Sequence, residues 1–184
     1  MSTRVERYLH HLDSITGGVE PRFLPVPGPT GQPRVTMLVY QELFAPGLIT
    51  AFSYGLSLFE HPEWRQGKPE LCITVQGDRT DATLAIGRIA DGLGGSCPFS
   101  YGNVIRLGHP VEPGSGMSTI VVFAPVYLER SQYLNIDVGE DRPIGIAGCY
   151  PIHEAEAEHI NTQGLQAFWS GDWDPFDLSR PSSV

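Results

Sequence analysis

Apolar positions along the chain change period several times, and each change marks an element. Val5, Leu9 and Leu12 recur at near-helical spacing and Ser14 to Gly18 stops the pattern, which predicts an amphipathic N-terminal helix within residues 1–14 that packs on a sheet. Pro21, Pro25, Pro27, Pro29 and Pro33 exclude a long regular element from 19–33 and leave a connector in which Phe23-Leu24 can start an edge strand. RVTMLVYQEL (34–43) and, after the Pro46-Gly47 turn, LITAFSYGLS (48–57) read as two strands close enough to pair antiparallel. PELCITVQG (69–77) is a third, with Leu71, Ile73 and Val75 on one face and Cys72 on the other.

From Thr80 to Leu93 the period returns to that of a helix, through Leu84, Ile86, Ile89, Ala90 and Leu93, with Asp78 or Thr80 near its start and the glycines of GLGG at its end. Short strands are then predicted at 103–108, 116–125, 132–138 and 144–152, and a third helix over 153–169 with Ala157, Ile160, Gly164 and Phe168 facing inward. Strands that follow one another without regular helical crossovers predict an α+β fold: a mainly antiparallel or mixed sheet of about six to eight strands packed with three helices. A chain of 184 residues is expected to form one domain over 1–184, with 171–184 a flexible or docked tail whose final Arg-Pro-Ser-Ser is disordered.

Composition narrows the class. Apolar residues make up 41% and charged residues 18%, and no apolar run approaches the roughly 18 residues that cross a bilayer. The first residues lack the continuous apolar stretch of a secretory signal, so a cytoplasmic location is expected, with no membrane partner. A formal net charge of −9 repels a phosphate backbone, so no nucleic acid ligand is expected and a basic protein partner is suited. Cys72, Cys97 and Cys149 are odd in number and far apart, without the spacing of a disulfide framework or a zinc ribbon, so three reduced thiols are expected.

Candidate chemistry centres on CYPIHEAEAEHINTQG (149–164). A zinc protease helix places its histidines four residues apart on one face, whereas His153 and His159 are six apart, about 240° around a helix, so no metal site and no cofactor is expected there. The three glutamates suit a helix N-terminus through its dipole. Ser53 and Ser57 in FSYGLS lack the flanking glycines of a nucleophile elbow, and GLGG follows a helix where a phosphate loop would precede one. Cys97 in a glycine-rich loop, with His61 and His109 in other loops, keeps a cysteine–histidine enzyme open as an alternative, as does a hydrolase built on His153, Glu156 and His159. Glu70, at a strand entrance, is expected to accept backbone N–H bonds or to face solvent, without an adjoining acid or base. The closing SGDWDPFDLSRPSSV alternates carboxylates with aromatics; Asp172, Trp173, Asp174 and Phe176 there suit either docking on the parent domain or binding another chain.

Taken in order, TAFSYGLS, KPELCITV and YPIHEAEAEHINTQGLQAFW resemble the suppressor-of-fused domain family. The matched positions are Gly55, Leu56 and Ser57, then Glu70 and Leu71, then Pro151, Ile152, Glu156 and Gly164, while His153 stands where relatives often carry an aromatic. The resemblance implies a protein-binding domain without enzymatic activity or cofactor. Animal relatives hold zinc-finger transcription factors of Hedgehog signalling, and stand-alone bacterial relatives are regarded as immunity proteins that neutralise toxins. The single short domain resembles the bacterial type, which implies a toxin as the partner, with a basic one suited to the chain's charge; the oligomeric state is left open.

Overall fold

The computed structural model describes residues 2–184. Helix α1, Arg4–Thr16, opens on a reciprocal cap in which Thr3 and Glu6 satisfy each other's backbone N–H, and it closes at Gly17, whose φ of 69° suits glycine. It buries Tyr8, Leu12 and Thr16, while Val5 is left exposed, so the buried stripe lies one position round from the one the apolar spacing marks. The helix also runs two residues beyond the expected end.

Seven strands form one mixed sheet. They are β1 (Arg22–Val26), β2 (Val35–Gln41), β3 (Leu48–Tyr54), β4 (Lys68–Gln76), β5 (Val104–Arg106), β6 (Thr119–Phe123) and β7 (Ile144–Ile152), in the order β1-β2-β3-β4-β7-β6-β5. Every neighbouring pair is antiparallel except β4 with β7, whose parallel register runs from Lys68↔Ile144 to Cys72↔Gly148. A parallel pair needs a long crossover, and here it contains α2 (Asp81–Leu93) and the β5–β6 hairpin. β3 and β7 are buried almost throughout, which explains their nearly continuous apolar sequences.

Side chains alternate across the sheet and separate two cores. Leu71, Ile73 and Val75 of β4 join Ile86 and Ala90 of α2 on one face, whereas Cys72 lies among Tyr8, Leu12 and Phe52 on the face covered by α1. That second face continues into a smaller cluster in which Val121, Tyr150 and Ile152 meet Ala157, Ile160 and Phe168. The last three belong to α4 (Glu154–Gln163) and α5 (Leu165–Trp169).

Several expected elements differ, each for a local reason. The strand expected to run through 57 stops at Tyr54, because Gly55 has φ 127° and starts a single 3-10 turn, Leu56–Leu58. The strand expected at 132–138 is a four-residue helix, α3 (Arg130–Tyr133), capped reciprocally by Glu129 and Gln132; Asn135, at φ 56°, then leaves Ile136 a lone bridge to Ile144. The expected final helix is broken at Gly164, which is exposed with φ 91° and so does not face inward. Five α-helices stand where three were expected, because α4 and α5 divide one of them and α3 is a single turn, so the expected α+β layout of sheet and three helical regions holds.

Candidate functional site

Two buried carboxylates gather the matched motif positions. Glu70, on β4, is fully buried. The turn after β3 wraps round it, so that Oε1 accepts from the Gly55 and Ser57 amides (2.9 and 3.0 Å) and from the Ser57 hydroxyl, while Oε2 accepts from Ser53 Oγ at 2.5 Å. Ser53 Oγ in turn accepts from the Leu71 amide at 2.8 Å. Arg4 reaches the same node from α1, donating to Ser57 Oγ at 2.7 Å, with Glu140 Oε1 3.0 Å from its Nε. Burial raises the Glu70 pKa, opposed by its four donors. Solvent is excluded, and serine hydroxyls as well as amides fill the carboxylate. The arrangement ties α1, β3, the 3-10 turn and β4 together and leaves no lone pair directed at an open space.

Glu156 forms the second node. The Pro151-Ile152 end of β7 delivers the chain to His153, which caps α4: its N–H donates to Glu156 Oε2 at 2.8 Å, and its ring Nε2 lies 2.9 Å from Arg180 O. The Glu156 carboxylate is fully buried against Arg180, whose guanidinium grips both oxygens, one at 2.8 Å, while the Ser183 amide and hydroxyl each donate to Oε1 at 2.9 Å. Burial works against ionisation here, but Arg180 and the His153 and Ser183 amides outweigh it and hold the carboxyl down at about 2.

Arg180 and Ser183 are thereby fastened to Glu156, where disorder was expected of Arg-Pro-Ser-Ser: the Arg180 cation compensates the burial of this carboxylate. Trp173 packs tilted against Phe168 and edge-to-face with Trp169 and lies under the Arg180 guanidinium, whereas Leu178 is buried in the core on the other face of the sheet. The tail thus passes over the end of the sheet. Gln76 N donates to Phe176 O at 2.9 Å, and Gln76 Nε2 to Asp174 at 3.0 Å. The Phe176 ring stacks on Tyr127 at 5.1 Å, and Tyr127 stacks on Phe44 at 4.9 Å. Asp172 stays exposed.

The residues of the enzymatic alternatives do not assemble. Glu156 spends its oxygens on the tail, and among the described residues no three His, Cys, Asp or Glu side chains are placed to hold a metal. The Cys97 thiol lies 3.9 Å from Asn103 Oδ1, and burial raises its pKa, the wrong direction for a nucleophile. His61 accepts from the Glu63 amide and His109 lies against Pro110 O; neither bonds Cys97.

A cleft of about 620 Å³ opens where β4 and β7 begin. Small residues, Pro69, Gly145 and Ala147, form its floor, with Trp64, Phe99 and Leu134 among its walls and Arg130 beside it. Phe99 is held at φ 53°, a conformation that costs a bulky residue of order 1–3 kcal/mol. The cleft can take an apolar side chain against aromatic walls. Its residues were missed at the sequence level because they come from three loops, the short helix α3 and two strand starts. The available signal was aromatic side chains in otherwise polar, Gly/Pro-rich loops.

No protein-family model matches the chain, and no curated protein matches its sequence. Solved structures do match. A SUFU (suppressor of fused protein) homolog from Neisseria gonorrhoeae is similar over 97% of this chain and 95% of its own, with a TM-score of 0.76 at 16% identity. The chain has the suppressor-of-fused fold. A chain of a Sufu–Fu complex is similar with a TM-score of 0.71 at 12% identity, over 98% of this chain and 92% of its own. Drosophila Suppressor of Fused gives 0.68 at 13% identity, over 96% of this chain and 50% of its own. Of the motif positions that carried the resemblance, all but Gly164 lie at the two carboxylate nodes or in the chain beside them.

Proposed function

We propose that the chain is a non-catalytic protein-binding module of the suppressor-of-fused type, acting in the cytoplasm, and that its partner is a basic toxin that it neutralises. The fold carries this reading: it spans the chain end to end, and one structure that shares it is a Sufu–Fu complex. The charge of −9 supports a basic partner, because complementary fields speed encounter and favour occlusion of a cationic active site. Both buried glutamates are absorbed by internal bonds and the one half-exposed thiol is poorly ionised, so the polar groups that first suggest chemistry maintain the fold instead. Among the described residues no helix is long and apolar enough to cross a membrane.

The test is co-expression with toxins encoded beside the chain's own gene, followed by copurification and growth. Stable copurification with one such toxin and rescue of growth is the expected result. A chain that purifies without any partner from its native host and protects against none of those toxins refutes the reading.

A further inference from the structure

Phe44, Tyr127 and Phe176 come from three distant segments: the β2–β3 turn, the loop after β6 and the tail. They form one stack, with Tyr127 between rings at 4.9 and 5.1 Å, yet Tyr127 remains 38% exposed and the adjacent Val126 50% exposed. Docking the tail does not require that exposure, since the Glu156–Arg180 pair and buried Leu178 already hold it.

The tail is anchored on both sides of this ring. Phe176 N donates to Asp174 Oδ1 at 2.9 Å, and its carbonyl accepts from Gln76 N, so its backbone is held against the end of β4 with the ring beside Tyr127. Preordered aromatic side chains of this kind, half-exposed among polar groups, are what binding hot spots use.

Charge selects the occupant. Glu42 and Asp78 face each other across a hollow between the β2–β3 turn and the end of β4, and Asp174 is bonded to Gln76 two residues before Asp78. All three are exposed, and none forms a salt bridge with a described residue; the neighbouring Arg79 is turned to Asp81 at 3.1 Å. Resting on the protein-binding reading above, we infer that the Phe44–Tyr127–Phe176 stack with its carboxylate rim receives the partner, through a basic segment carrying arginine beside an apolar side chain. The guanidinium pairs with the rim and the apolar group lies on the rings.

The test uses the isotope-labelled full chain, titrated with a blocked tripeptide of two arginines flanking a tryptophan and, separately, with its glutamate counterpart. Amide shifts are expected at Phe44, Gln76, Asp78, Tyr127 and Phe176 with the arginine peptide alone. Tyr127→Ala is expected to weaken Kd about tenfold, as loss of a hot-spot ring does. Glu42→Gln with Asp78→Asn leaves the rings untouched and is expected to weaken it about threefold to tenfold at low salt, a difference that closes near 0.5 M salt. Equal binding of the glutamate peptide, shifts confined to the Trp64–Phe99 cleft, or an unchanged Kd in both variants overturns the inference. None of those results touches the partner copurification that tests the module reading, so the two fail separately.

Discussion

Arg180→Ala tests whether one buried ion pair fastens the end of the chain. It leaves Glu156 fully buried with its cation removed, a defect that typically costs about 3–5 kcal/mol. The structure gives a second route to the magnitude. Glu156 is held from its ordinary 4.5 down to about 2, which is worth roughly 3 kcal/mol when ionisation is complete. The sign follows from linkage: a carboxyl depressed in the folded state contributes fully above its unfolded pKa and loses that contribution as pH falls through the folded value. The deficit of Arg180→Ala should therefore be largest above about pH 5 and shrink to roughly 1–2 kcal/mol by pH 3. A pH-independent remainder comes from the lost guanidinium contact with Trp173, 4.9 Å away. Urea unfolding at pH 7 and pH 3, followed by tryptophan fluorescence, measures both numbers. A variant within 1 kcal/mol of the parent at pH 7, or a deficit equal at the two pH values, would refute the account of the latch.

Further expectations concern the other node, the turns and the thiols. Glu70→Ala strands two hydroxyls and two amides in the core and should cost at least about 3 kcal/mol, whereas Glu70→Gln, which keeps the shape and spares the burial of charge, should cost about 1–2; equal losses in urea unfolding count against the network. Gly55→Ala brings a methyl 2.1 Å from Arg34 O at φ 127° and should prevent stable folding, while Gly47→Ala, at φ 79° in open space, should lose only about 1 kcal/mol; similar melting temperatures for the two would contradict the close approach. Maleimide at pH 7 should label native protein slowly and only at Cys97, since burial pushes Cys72 up to about 12 and holds Cys149 well above the ordinary thiol range; rapid labelling of more than one thiol argues against this packing.

Strand faces were legible because their signal is local. The alternation of Leu71, Ile73 and Val75 against Cys72 separates the two cores as the sequence implies, and the period change at Thr80 marks α2. Helix ends and short turns were less so: the Glu129-to-Gln132 cap was present in the sequence, but apolar letters on both sides of it read equally well as a strand. Partner choice across a fold was not legible at all. Nothing in local sequence says that Glu156 will meet Arg180, 24 residues on, or that Tyr127 will lie between Phe44 and Phe176.

The two glutamates that resemble a family signature are the ones the fold consumes. A fully buried carboxylate with four or five donors is intolerant of change, because each partner removed leaves another polar group unpaired in a low-dielectric interior. Such positions therefore report the fold and carry little information about the ligand. If this chain is a binding module, its specificity has to lie where the motifs are silent: on half-exposed or exposed side chains such as Tyr127, Phe176 and Asp78, which lie outside the buried core. A substitution series should then divide cleanly, with changes at Glu70 and Glu156 moving stability and changes at the stack moving affinity at constant stability. Stack variants that unfold the protein as readily as the node variants would show that the aromatic surface is part of the scaffold.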